Sequence, residues 1–478
     1  MKPRLTLLSF GFLAAMSLSS IAQTKLPYVV DPITKKRITY VSGQDAQGKT
    51  TFSNGKIGYP IVTDIDYSKV YSRAKAPVVV VAPPVVTQPV IVAPPVTTPD
   101  VTIVGTGSGN LDLSGIKNKN LKIKAGTYTN IGLNDLVNVK IDASGVSLNN
   151  NSNFDISKPT DLELYGFTVS NHTYRAINVR GLVQKLYIHD ATFVNIANSV
   201  IAFEYAGDYD GTSATTNLDI TLDHLSFTSC SSIVGAGGGL NNATGKVTGL
   251  SRNLTFTNNN IKDCQGSVIW SGAADHYVIS GNNIDHVNYG FTAKDPGGLN
   301  GPHNGLFGMT GNGDLFNNKV INHQGNLIRA WGVSYGSKVD SIRIYNNVVY
   351  NSSKYSAFEL QVPPYLSDFS AAHPGVIKWT NARVSNNTAG HLNTVKDWEG
   401  QMLDLYFTGG TLDYSRNLGF EMNRMADNIN SPLELGRSMI NMGPTELKDG
   451  NLYFNTSKEA VSDLTTFKSL HPGVGAKL

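Results

Sequence analysis

From Val101 onward the chain repeats one pattern of apolar and polar positions. LELYGFTVSNHTYRAINV from Leu162, LYIHDATFVNIANSVIAF from Leu186, ITLDHLSFTSCSSIVGA from Ile220 and LTFTNNNIKDCQGSVIW from Leu254 share it. YVISGNNIDHVNYGFTA from Tyr277, LFNNKVINHQGNLIRAW from Leu315 and IRIYNNVVYNSSKYSAFEL from Ile342 continue it. Each unit holds a short strand of alternating apolar and polar residues, a polar turn that often contains Asn-Asn, a second strand, another turn and a third strand. Alternation with period two marks a strand with one buried side. The unit recurs every ~20–35 residues, a solenoid period, and three strands per unit predict a parallel β-helix. A propeller would need four antiparallel strands in a longer unit. The expected fold is therefore all-β: a right-handed parallel β-helix of about ten coils, stacked about 4.8 Å apart.

Two columns of the repeat have a structural explanation. Asn259, Asn282, Asn318, Asn347 and Asn386 fall at equivalent turns, where stacked amides can hydrogen-bond from coil to coil. Cys230 follows Phe227 by three residues and Cys264 follows Ile261 by three, so the two cysteines should stack on adjacent coils. A disulfide is open to them in an oxidising compartment. Directly stacked side chains are spaced slightly wide for an unstrained bond, which favours a buried thiol pair. His323 shares a turn column with Cys264 and Val287 and is read as structural.

The pattern changes outside this region. Residues 1–22 read as a secretory signal: a basic start at Lys2 and Arg4, a short apolar run, and small residues Ser20 and Ala22 before the cut. Residues 23–75 are polar and form either a small β unit or a partly disordered segment. Residues 76–100, APVVVVAPPVVTQPVIVAPPVTTPD, carry too many prolines for a sheet and read as a stiff, extended linker. The β-helix occupies 101–478. Near its end Thr456 to Glu459 fits a capping box, which predicts a short C-terminal helix over the open end.

Composition adds limits. Charged residues are only 16% of the chain, glycines number 47, and the net charge is +3 with two basic residues in the signal. The near-neutral exported part lacks the basic footprint of a nucleic-acid binder. Later apolar runs are broken by polar residues, so no membrane span is expected after signal cleavage. The expected protein is a secreted or periplasmic monomer.

Alternation in the third strand places the candidate chemistry. With Ile201, Ile269, Phe291, Ile328 and Phe358 aligned inward, the outward set is Ala202 and Glu204, Trp270, Thr292 and Lys294, Arg329 and Trp331, Glu359 and Gln361. Arg329 is thus expected on an outer sheet, between Lys294 and Glu359. The spacing breaks after Glu204, Lys294 and Gln361. Such insertions loop out and wall a groove. They carry Tyr205, Asp208, Tyr209, Asp210, His303, Tyr365 and His373. Cations and aromatics in a groove suit an acidic polysaccharide, because aromatics stack on sugar rings and arginine pairs with carboxylates. The expected substrate-binding residues are Glu359, Trp331, Trp270, His303, Tyr209, Gln361 and Tyr365.

Two stretches resemble a family. Asn318 to Gly332 and GFTAKD, Gly290 to Asp295, are similar to the arginine and lysine coils of β-helical polysaccharide lyases of the chondroitinase B and alginate lyase group, family 6, within the pectate-lyase-like solenoids. The resemblance implies that Lys294 removes the C5 proton of a uronic acid and that Arg329 stabilises the carboxylate as it gains enolate character. The leaving group at C4 then departs by β-elimination. Such chemistry needs a preorganised cation, and a lysine beside another cation has a lowered pKa. Family members often hold Ca2+ through acids just before the lysine. Here DHVNYGFTAK offers only Asp285, so either the metal is absent or Glu204 and Glu359 contribute to a different arrangement.

Other readings stay open at the level of sequence. A C5-epimerase shares the proton abstraction. A glycoside hydrolase needs two flanking carboxylates. Asp208, Asp210 and Glu359 are candidates, but no acidic pair is visible on adjacent outward positions. A non-catalytic carbohydrate-binding solenoid needs neither.

Overall fold

The structure is a computed structural model. It describes strands within residues 28–58 and most of 100–476, apart from 205–206, 208–215, 242–245, 290–304, 336–338, 362–376, 379, 395–399, 407–411, 423–444, 448–450 and 455–473. The linker and the capping-box segment lie outside the described residues.

The strands Tyr28–Val30, Arg37–Ser42, Thr50–Phe52 and Ile57–Gly58 form a separate antiparallel sheet in chain order. From Val101 most described strands belong to a parallel solenoid, with antiparallel pairs only where Gly239–Asn241 meets Lys246–Thr248, Ser334–Tyr335 meets Ile377–Lys378 and Thr445–Leu447 meets Asn451–Phe454, and the described residues contain no helix. Three stacks of parallel strands run its length. Val101–Val104, Lys117–Ile123, Val137–Asp142, Thr160–Tyr165, Gln184–His189 and Leu218–Asp223 begin the first face. Thr168–His172, Thr192–Ile196, Ser226–Thr228 and Asn260–Cys264 belong to the second. Ile177–Arg180, Ile201–Phe203, Val234–Gly235 and Ile269–Ser280 belong to the third.

Alternation explains the core. Leu162, Leu186, Ile220 and Leu254 stack in register and are all buried. On the second face Phe193 stacks on Phe227 with ring centroids 5.0 Å apart. No single coil can bury its own apolar side, so each is stabilised by its neighbours.

The Asn-Asn doublets serve two purposes. Asn258, Asn317, Asn346 and Asn386 adopt left-handed backbone with φ near +55°, which Asn tolerates better than most side chains. Gly281 takes the same place before Asn282. The following residue turns inward. Asn259 donates through Nδ2 to Asn282 Oδ1 at 3.0 Å, Asn282 to Asn318 at 2.8 Å, and Asn318 to Asn347 at 2.9 Å. The ladder continues through Asn387, Asn417 and Asn451. Its fifth member is thus Asn387, and Asn386 is the left-handed residue before it. An inward amide in this ladder satisfies buried groups that would otherwise lack partners.

The cysteines behave as the repeat implies. Phe227 and Ile261 are in register, and Cys230 and Cys264 are buried free thiols. Cys264, Val287, His323 and Ser352 form one column.

Candidate active site on the third face

The inward column of the third face runs Ile201, Val234, Ile269, Phe307, Ile328, Phe358 and Leu403. This corrects one expectation. The slot between Ile269 and Ile328 is filled by Phe307, not Phe291. The outward neighbour of Arg329 on the preceding coil is therefore Gly308, in the place expected for Thr292. The resuming strand Phe307–Phe316 starts after the insertion, and spacing alone could not show where the column resumes. Lys294 itself lies outside the described residues, as do Tyr209, His303 and Tyr365.

Strand Ile328–Gly332 turns Arg329 outward. Its Nε lies 3.3 Å from Glu359 Oε2 on the next coil, and Arg329 and Glu359 are in register. The guanidinium carbon sits 5.0 Å from the Trp331 ring centroid, a cation–π contact. Gln361 Nε2 donates to Glu359 Oε1 on the same strand. The site is less open than an outer sheet implies: the Arg329 side chain is 18% exposed and Glu359 only 1%. Close packing adds to this. A Cβ on Gly305 would come 2.7 Å from the Arg329 Cβ.

Trp270 follows the inward Ile269 two coils before Ile328, about 10 Å away along the axis, at a bulge where both Trp270 and Ser271 stand opposite Gly308, and it is 53% exposed. Between them stands Gly308, which has no side chain. The strip therefore has an exposed indole on one side, a bare backbone floor, and a guanidinium held between an indole and a carboxylate on the other.

Glu204 is not part of this arrangement. Its Oε1 pairs with Arg175 Nη1 at 3.0 Å. Ala202, two residues before it, lies five coil steps before Glu359, about 24 Å, along the register of the third face. Asp285 is on the second face, where its Oδ1 accepts from Asn322 at 2.8 Å. Among the described residues no group of three His, Cys, Asp or Glu side chains could hold a metal ion. The expected calcium ligands therefore do not fit one ion, because Glu204, Asp285 and Glu359 stand on different coils or faces. His323 is fully buried and its pKa is lowered to about 4 by desolvation, as a structural residue requires.

One acid was not visible in the sequence. Asp404, on strand Leu403–Tyr406, is in register with Glu359 one coil further on and is 3% exposed. The stretch between Gln361 and Leu403 is too long to show which residue resumes the column. The alternating LDLY at Leu403 was the only available signal. The adjacent acidic pair missing from the sequence reading is thus Glu359 and Asp404.

Compared with protein-family models, with curated proteins and with solved structures, the chain matches none.

Proposed function

We propose that the protein is an exported polysaccharide lyase on a right-handed parallel β-helix, acting on an acidic, uronate-containing polysaccharide by β-elimination. The observation that carries the reading is Arg329, outward on a parallel face, paired to Glu359 and stacked over Trp331. Glu359 approaches from the Nε edge of the guanidinium. In this reading a uronate carboxylate meets the guanidinium, and Trp270 and Trp331 offer stacking surfaces to the sugar rings. Lys294 takes the C5 proton, the electron pair enters the carboxylate as enolate, and the C4–O bond breaks as the C4–C5 double bond forms, the departing oxygen keeping the bonding pair and taking a proton from water. A guanidinium held rigidly by an acid and an indole is preorganised for that charge.

The test is formation of an ultraviolet-absorbing unsaturated uronate from alginate, pectate, chondroitin or dermatan. Activity on at least one of these, abolished by Arg329→Ala and by Lys294→Ala, is expected. No absorbance on any of them sinks the reading. Glycoside hydrolysis is the second reading, favoured by Glu359 and Asp404 on adjacent coils, since retaining enzymes hold two carboxyl groups about 5–5.5 Å apart. It would release reducing ends without the ultraviolet signal.

A further inference from the structure

The third face carries a second arginine set between an aromatic ring and a glutamate. Arg175 stands two residues before strand Ile177–Arg180, and Glu204 directly follows strand Ile201–Phe203 on the next coil. The two start from opposite ends of the face, yet Arg175 Nη1 donates to Glu204 Oε1 at 3.0 Å. The Arg175 side chain therefore lies across the third face. Ala202, which points outward there, is only 3% exposed. The guanidinium carbon sits 4.9 Å from the Tyr174 ring centroid, close to the 5.0 Å of Arg329 over Trp331.

This second arginine is the more open of the two. Its side chain is 27% exposed and that of Glu204 51%, whereas Glu359 is buried. Tyr174 is 49% exposed. Among the described residues Arg175 Nη2 has no hydrogen-bond partner. An exposed ion pair holds its partner weakly. A guanidinium carries five N–H donors in a fixed fork, so a further carboxylate fits beside Glu204.

The inward column counts the separation. From Ile177 through Ile201, Val234, Ile269 and Phe307 to Ile328 there are five coil steps, about 24 Å. The outward residues between them include Ala202, Gly235 and Gly308, which leave the strip low on either side of Trp270. A 1,4-linked pyranose advances a chain by roughly one coil spacing, about 5 Å. Two carboxylates of one extended uronate chain, some five sugars apart, would match the two arginines.

We propose that Arg175, with Tyr174, forms a distal subsite that binds a second carboxylate of the acidic polysaccharide held at Arg329. Arg175 supplies a charge-assisted hydrogen bond from Nη2, and the exposed Tyr174 ring lies against the sugar that carries the carboxylate. The protein then reads chain length as well as charge. The inference rests on the uronate reading above for its ligand.

The experiment is calorimetric binding of tetramers and octamers prepared from alginate, pectate, chondroitin and dermatan. The full chain carries Lys294→Ala so that no turnover intervenes. A tetramer cannot bridge five coil steps and an octamer can. An octamer of at least one polymer should bind about tenfold more tightly than its tetramer, as one added hydrogen bond to a charged group implies. Arg175→Gln should remove that gain. Equal affinity for the two lengths overturns the inference, as does a gain that survives Arg175→Gln or an equal loss at both lengths. Absence of octamer binding overturns it too. Should Arg175→Gln fail to fold, Tyr174→Ala, at an exposed ring, carries the same comparison and should lower octamer affinity alone by about threefold. If no polysaccharide yields unsaturated product but Arg175→Gln removes the octamer gain, the lyase reading fails and the distal subsite stands. If unsaturated product forms and the gain is indifferent to Arg175, the lyase reading stands and the subsite is excluded.

Discussion

Arg329 and Glu359 face each other across adjacent coils, Nε to Oε2 at 3.3 Å, with the carboxylate buried. Removing one partner of a buried pair costs far more than the pair contributes net, because the remaining charge stays desolvated. Glu359→Ala should therefore destabilise the protein by roughly 3 kcal/mol, read by urea unfolding. A loss below about 1 kcal/mol, the range of exposed pairs, would show that this contact does not hold the strip.

The asparagine ladder should be far more sensitive than the other turns. Asn318 donates to Asn347 Oδ1, to Ile279 O and to Phe316 O, and its Oδ1 accepts from Asn282. Asn318→Ala orphans several buried groups, each costing about 1–3 kcal/mol, so a loss of roughly 3 kcal/mol or more is expected. Asn322→Ala removes an exposed amide with φ +51° and should cost about 1 kcal/mol. Equal losses would contradict the buried ladder as the main turn constraint.

His323 makes stability depend on pH in a defined direction. Its pKa falls from 6.5 to about 4 on burial. The unfolded chain then binds the extra proton between those values. Its neutral form is fully accommodated above pH 6.5, and stability is lost as pH falls toward 4. Replacing it with valine, the residue one coil earlier at Val287, should flatten the melting-temperature profile between these limits. An unchanged profile in His323→Val would assign the acid sensitivity elsewhere.

Cys230 and Cys264 are buried thiols, and contact with Cys230 together with burial pushes the Cys264 thiol up. A thiol reagent at neutral pH should label neither in the folded protein and both after unfolding without reductant, since the thiolate is the reactive form. Absence of label after unfolding would instead reveal a disulfide.

The amino-acid sequence by itself determined the parallel solenoid, because a strand buried on one side must alternate and a coil that cannot bury its own core must repeat. It also placed Arg329 on an outer strip beside Glu359, since alternation within one strand and between two regularly spaced coils is local information. The same locality put the cysteines and His323 in one column. What only the tertiary structure decided lies beyond insertions. Phe307 rather than Phe291 fills the inward slot, and Asp404 rather than any visible acid stacks on Glu359. The shift from Asn386 to Asn387 has the same origin on a smaller scale, since either amide fits a turn and only stacking selects the one that faces inward. Register between parallel strands is fixed by the packing of whole coils, and a loop of arbitrary length erases the spacing that would reveal it. Burial followed the same rule: alternation points a side chain outward, but the packing around the strip leaves Glu359 almost without solvent.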